Sequence, residues 1–171
     1  MHKKPLQSNN SRRQFLHQTA MAAAAVALPG TLLQGAPRPT QIADKLRLIV
    51  DADTANEVDD LFAIARALVE PTFQLEGITS AQWHTQERAP NDSVGRSQQL
   101  NEDIARLMGV TDIPLVMGAN VPLVNTLRPQ PSAAARLIIE KAHESKEGEK
   151  LVVATLGPNT NVASAILMDP T

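Results

Sequence analysis

Residues 46–64 read LRLIVDADTANEVDDLFAI, and this stretch sets the architecture. Leu46 to Val50 is a short apolar run rich in β-branched residues, which predicts a buried strand stopping at Asp51. From Asp59 the period becomes helical: Leu61, Ile64, Ala65, Leu68 and Val69 share one face until Pro71 ends the segment. Between strand and helix, Asp51, Asp53, Glu57, Asp59 and Asp60 place five carboxylates within ten residues. Packed so closely they repel one another unless water or a cation screens them, and hard oxygen ligands of this kind suit calcium or magnesium. Helix capping offers a second reading, with Asp59 as N-cap and Asp60 favoured by the helix dipole. That reading covers one or two of the five and leaves Asp51 and Asp53 at the strand exit unexplained.

The alternation of strand and helix continues downstream. Phe73–Thr79 reads as a second strand, followed by a polar loop from Ser80 to about Ser93. The next helix carries Leu100, Ile104, Leu107 and Met108 on one stripe and closes at Gly109. Pro114–Met117 reads as a third strand, and a loop with Pro122, Pro129 and Pro131 leads to a helix bearing Leu137, Ile138 and Ile139. Leu151–Leu156 is the fourth strand, then comes Gly157-Pro158-Asn159-Thr160-Asn161 and a short helix ending near Met168. The charge run Lys141–Lys150 reads as a solvated helix end and turn. This order implies an α/β fold: a parallel Rossmann-like sheet with flanking helices. Ligands of such sheets bind beyond the carboxyl ends of the strands. The loops Asp51–Asp60, Ser80–His84, Gly118–Asn120 and Gly157–Asn161 all fall at that edge.

Bulk properties narrow the choices. A chain of 171 residues allows one domain once a targeting segment is removed. The net charge of −2 gives no reason to expect a nucleic-acid or anionic-membrane partner. There is no cysteine, which excludes disulfides, thiolate metal sites and cysteine nucleophiles. With tyrosine absent and aromatics at 2%, the core must be built from Ile, Leu, Val and Ala.

The beginning of the chain reads as an address. Ser11-Arg12-Arg13-Gln14-Phe15-Leu16 precedes an apolar run, Ala20–Leu28, and then Pro29-Gly30. The pattern resembles the bacterial twin-arginine export signals, which implies the twin-arginine machinery as a partner and a periplasmic or secreted destination. A membrane anchor is the competing reading, but the run is shorter than the roughly 20 apolar residues that span a bilayer. Cleavage is expected between Ala27 and Ala36, with Ala25-Val26-Ala27 the better site and Gly35-Ala36 the weaker. The expected organisation is therefore a signal at 1–36, a linker at 37–44 and the folded part at 45–171.

Two enzyme families place aspartates in this way. Asp51-Ala52-Asp53-Thr54, with Thr79-Ser80, resembles the magnesium-dependent phosphohydrolases of haloacid-dehalogenase type. That resemblance would make Asp51 a nucleophile toward phosphate and Asp53 an acid/base, but Ala55 stands where that family has threonine or valine. The fuller match is to the inosine-uridine-preferring nucleoside hydrolases. They open with a strand, an Asp-x-Asp, a turn and an Asp-Asp beginning the first helix, as in Ile49–Asp53 and Asp59-Asp60-Leu61-Phe62-Ala63. The resemblance continues in Leu75–Thr79, in Ile113–Ala119 and in Leu156–Ala163, which is similar to that family's Gly-Pro-Leu-Thr-Asn loop.

The second resemblance implies a calcium-dependent hydrolase of N-glycosidic bonds of ribonucleosides or of a related glycoside. Carried over by position, Asp53 is a calcium ligand and the general base, while Asp60 is a calcium ligand and Thr160 supplies its backbone carbonyl. Asp59 holds a ribose hydroxyl, Asp51 orients the others, and His84 falls where the family often has a ribose-binding asparagine; an ordinary loop histidine is the equal alternative. The family usually has a short Pro-Gly-x turn after its second aspartate, whereas this chain has Thr54-Ala55-Asn56-Glu57-Val58, so Asn56 or Glu57 is a further candidate contact. Trp83 either stacks on a base or sugar or packs internally. Members commonly form dimers or tetramers, which makes a homo-oligomer an expectation. They are also about twice as long, with a further calcium-binding aspartate and the leaving-group acid in the later half. The expectation is thus an N-terminal part of the fold, as a fragment or a truncated homologue, and a non-catalytic calcium- or ribose-binding module is the third reading.

Overall fold

In the computed structural model, which describes residues 45–171, strands and helices alternate strictly. The order is β1 (Leu46–Ala52), α1 (Asp59–Val69), β2 (Phe73–Ser80), α2 (Ser93–Leu107), β3 (Leu115–Met117), α3 (Ala133–His143), β4 (Leu151–Thr155) and α4 (Thr160–Met168). The expected export signal and linker lie outside the described residues. Among the described residues no helix is long and apolar enough to cross a membrane.

The four strands form one parallel sheet in the order β3-β2-β1-β4. The chain steps outward from β1 to β2 to β3, then returns across the sheet to lay β4 on the other side of β1. Helices cover both faces. Ile64, Ala67 and Leu68 of α1 and Ile104 of α2 pack on Leu48, Val50 and Ala52. Ala135, Leu137 and Ile138 of α3 and Val162 and Ala165 of α4 pack on the opposite side, against Ile49. Alternate residues of β1 thus serve two cores, the expected outcome for a parallel strand covered on both faces. Ile49, Ile64 and Ile78 are fully buried, each contributing about 1.5–3 kcal/mol of apolar burial.

The strand exit and the amphipathic stripes differ in places from the sequence expectation. β1 does not stop at Asp51 but runs on to Ala52, because Asp51 still pairs with Thr79 of β2 and Thr155 of β4. Asp59 is the first residue of α1 rather than its cap; Val58 holds the cap position and no side chain caps the helix there. Val69 is exposed, and Leu107 and Met108 of the expected α2 stripe point to solvent. The α2 face turned inward is largely polar instead: Ser93, Ser97, Gln98 and Asn101 are buried. Its physical reason is a demand for hydrogen bonds. The helix lies over loops leaving the carboxyl ends of β1 and β2, whose polar groups have lost water and take partners from α2.

Candidate active site

The return of the chain across the sheet opens a crevice where the loops after β1 and β4 part to opposite faces, the switch point at which open α/β sheets bind ligands. Asp51, near the carboxyl end of β1 beside that crevice, is fully buried. Its Oδ1 accepts from Thr79 Oγ1 at 2.5 Å and from Asn161 Nδ2 at 2.8 Å. Its Oδ2 is buried with no hydrogen-bond partner. Burial raises the Asp51 pKa, and the bonds from Thr79 and Asn161 oppose that rise. Asn161 also donates to the Ser80 carbonyl at 3.0 Å and accepts from the Ala119 amide at 3.1 Å. One amide side chain thereby ties the ends of β1 and β2 and the loop after β3. Gly118 lets it in, since a Cβ there would overlap the Asn161 amide.

Asp53 sits above Asp51 on the first turn. Asn56 Nδ2 donates to Asp53 Oδ2 at 3.0 Å, and the Asn56 amide donates to the Asp53 carbonyl at 2.7 Å, closing the turn. Gly157 faces the other carboxylate oxygen so closely that a Cβ would fall on it. Asp60, in the first turn of α1, is buried, and its Oδ2 has no hydrogen-bond partner. Burial pushes the Asp60 pKa up to about 7, with the charges of Asp53, Asp59 and Glu57 adding to the effect. Burial likewise raises Asp53, while hydrogen bonds from Asn56 and Asp60 restrain it. Among the described residues none of these three aspartates has an ion-pair partner.

Polar residues from other elements hold this turn. Thr54 Oγ1 donates to Asn101 Oδ1 of α2 at 2.6 Å, and both side chains are buried. Gln82 is buried too; its Nε2 donates to Thr160 Oγ1 at 3.2 Å and its Oε1 accepts from the His84 amide at 2.5 Å. Asp53, Asn56, Glu57, Asp60, Trp83 and Gly157 are among the walls of a cleft of 320 Å³. Asp51 does not line it, and neither do Asp59 and His84, both of which are exposed. A larger cleft of 610 Å³ lies at the amino edge of the sheet, around Lys45, Arg47 and Lys150. Its distance from the switch point and its mixed charges argue for a surface groove; the smaller, acidic cleft is the one the topology designates.

The structure thus brings together Asp53, Asn56 and Asp60, sets Asp51 beneath them, and places Thr160 nearby through Gln82. Four further residues contribute, Asn161, Gln82, Asn101 and Gly157; the sequence marks Gln82, Gly157 and Asn161 only as members of the loops Ser80–His84 and Gly157–Asn161. Only Asn101 left a periodic trace, in the polar spacing Ser93, Ser97, Asn101 along α2. The donor set suits a hard cation, because buried carboxylates without cationic neighbours and with unpartnered oxygens are stabilised by one. Among the described residues no three His, Asp or Glu side chains are grouped to hold a metal ion by themselves. Asp53 and Asp60 are two donors, and calcium takes about six to eight oxygens.

A model of the inosine-uridine preferring nucleoside hydrolase family matches residues 48–171. An inosine-guanosine nucleoside hydrolase of solved structure is similar over 72% of this chain and 43% of its own, with a TM-score of 0.56 and 24% identity. A plant nucleoside hydrolase is similar over 75% of this chain and 44% of its own, with a TM-score of 0.52 and 22% identity. At such identities the likeness is one of fold, and this chain spans less than half the length of those two. No curated protein matches it.

Proposed function

The chain belongs to the inosine-uridine preferring nucleoside hydrolase family, and on that premise we propose that its acidic cleft hydrolyses the N-glycosidic bond of ribonucleosides or of a related glycoside. The observation that carries the reading is the position of Asp53, on the cleft wall between the ends of β1 and β4 and beside the buried Asp60. Asp53 acts as general base: its carboxylate takes a proton from water as the water oxygen bonds to the anomeric carbon. The bond from that carbon to the base nitrogen breaks, and the base leaves with its electron pair and takes up a proton. Asn56 holds Oδ2 of Asp53, which leaves the oxygen beside Gly157 to receive the proton. The carboxylates also offset the positive charge of the oxocarbenium-like sugar.

Asp53, Asp60 and the Thr160 carbonyl would hold calcium, with Asp51 orienting them from below. When bound, the ion supplies positive charge that orients ribose hydroxyls and lowers the pKa of a bound water. Asp59 and His84, both exposed and next in sequence to the lining residues Asp60 and Trp83, are proposed ribose contacts. Burial of Asp51 and its absence from the cleft lining speak against its use as a phosphohydrolase nucleophile. Export through the twin-arginine route, to the periplasm or beyond, is part of the proposal and rests on the pattern Ser11–Leu28.

The test is release of reducing sugar from a nucleoside panel, in calcium and after chelation. Asp53→Asn should lower the rate by about 10²–10⁴-fold, and hydrolysis at the wild-type rate by that variant would overturn the mechanism. The two-donor site favours one other reading, a calcium- and ribose-binding module. Calorimetry would reveal it as nucleoside binding with no sugar released.

A further inference from the structure

Next to the acidic cleft lies a second one, of 500 Å³, and the two share Trp83 as a wall. Consecutive residues of the first turn face them, Asn56 the acidic cleft and Ala55 its neighbour. Their charges are opposite. The first cleft is lined by Asp53, Glu57 and Asp60 and by no cationic side chain. The second is lined by Arg88 and Arg96, with Gln99 and Leu100, and by no carboxylate. Both arginines are exposed, and neither forms an ion pair among the described residues. Trp83 brings an indole N–H that is buried and has no hydrogen-bond partner.

Two unpaired guanidinium groups around one cavity are matched by an acceptor-rich anion, since guanidinium forks pair with carboxylate and phosphate oxygens. We infer that this second cleft binds an oxyanion of the substrate, so that the chain prefers N-ribosides bearing a phosphate on the sugar or a carboxylate on the base. The identity of the substrate as an N-riboside rests on the function proposed above; the anion site does not. The sugar lies on the acidic side of Trp83, and the charged group reaches past the indole to the arginines.

Trp83 is the only tryptophan of the chain, so its fluorescence reports on both clefts without need of turnover. The full-length protein in calcium buffer is titrated with ribose, ribose 5-phosphate, uracil and orotate, by fluorescence and in parallel by calorimetry. At least one anionic probe should bind ten-fold or more tightly than its neutral counterpart, and the pair that shows the difference identifies phosphate or carboxylate as the source. In Arg88→Gln/Arg96→Gln, whose exposed positions predict an unchanged circular dichroism spectrum and Tm, that preference should fall to near unity. Equal affinities within both pairs, no binding by either method, or a preference that survives the double substitution would overturn the anion site. An anion preference in a protein that cleaves no nucleoside would sink the N-ribosidase reading and leave the anion site standing.

Discussion

At the scale of single residues, the site is governed by carboxylates held where water is scarce. Asp60 makes this measurable. Its pKa is pushed up to about 7 from an ordinary 3.8, so between those values the folded state keeps a proton that the unfolded chain has lost. By linkage, stability falls as pH rises through that interval and levels off above about 7. Thermal melts of the metal-free protein should show this slope, and Asp60→Asn should flatten it; equal slopes in the two proteins would refute the assignment. Gly157 gives a second prediction. An alanine there places its Cβ on the Asp53 carboxylate, and displacing a catalytic group by even ~1 Å can cost about 10²-fold in rate. Gly157→Ala should therefore lose about that much nucleoside hydrolysis and keep the native circular dichroism spectrum. Asp51 and Asp53 could be singled out in the sequence because carboxylates right after a buried strand need an explanation. Gly157 stood out only as the start of its loop, since its role is an absence of atoms opposite Asp53, a residue more than a hundred positions away.

At the scale of elements, the expected strands and helices formed because each announced itself by one period. β-branched runs gave the strands, and Ile64 and Leu68 gave the buried face of α1. α2 broke the pattern: its buried residues are Ser93, Ser97, Gln98 and Asn101, and a hydrophobic period cannot reveal a helix that buries its polar side. The need for that side resides in Thr54 and in the loops it serves, so only their spatial meeting explains it. Asn161, the first turn of α4, has the same character. It connects Asp51, the Ser80 carbonyl and the Ala119 amide, and its removal strands buried groups at about 1–3 kcal/mol each. Asn161→Ala should lower unfolding free energy by roughly 3 kcal/mol or more, read from the denaturant midpoint. A loss below about 0.5 kcal/mol would show that the network carries no weight.

At the scale of the whole molecule, the parallel sheet is covered on both faces over β1 but thinly at β4. Val152 and Leu156 at that edge and Ile166 and Leu167 on α4 are exposed, an arrangement that parallel sheets rarely leave bare. For the 171-residue chain by itself, we propose association through this edge. Gel filtration should show larger species as concentration rises, and Val152→Lys with Ile166→Lys should suppress them while changing stability by no more than about 0.5 kcal/mol per exposed site. Unchanged elution of that variant would place the contact elsewhere. The strand order has one more consequence, in the timing of biosynthesis. Asp51 and Asn161 are joined across 110 residues of sequence, so on the ribosome the aspartates emerge long before the amide that clasps them. Until Asn161 emerges, a nascent chain carries its acidic cluster without the amide that ties Asp51 down. The pocket closes only when β4 slots in beside β1 and brings Asn161 of α4 over Asp51.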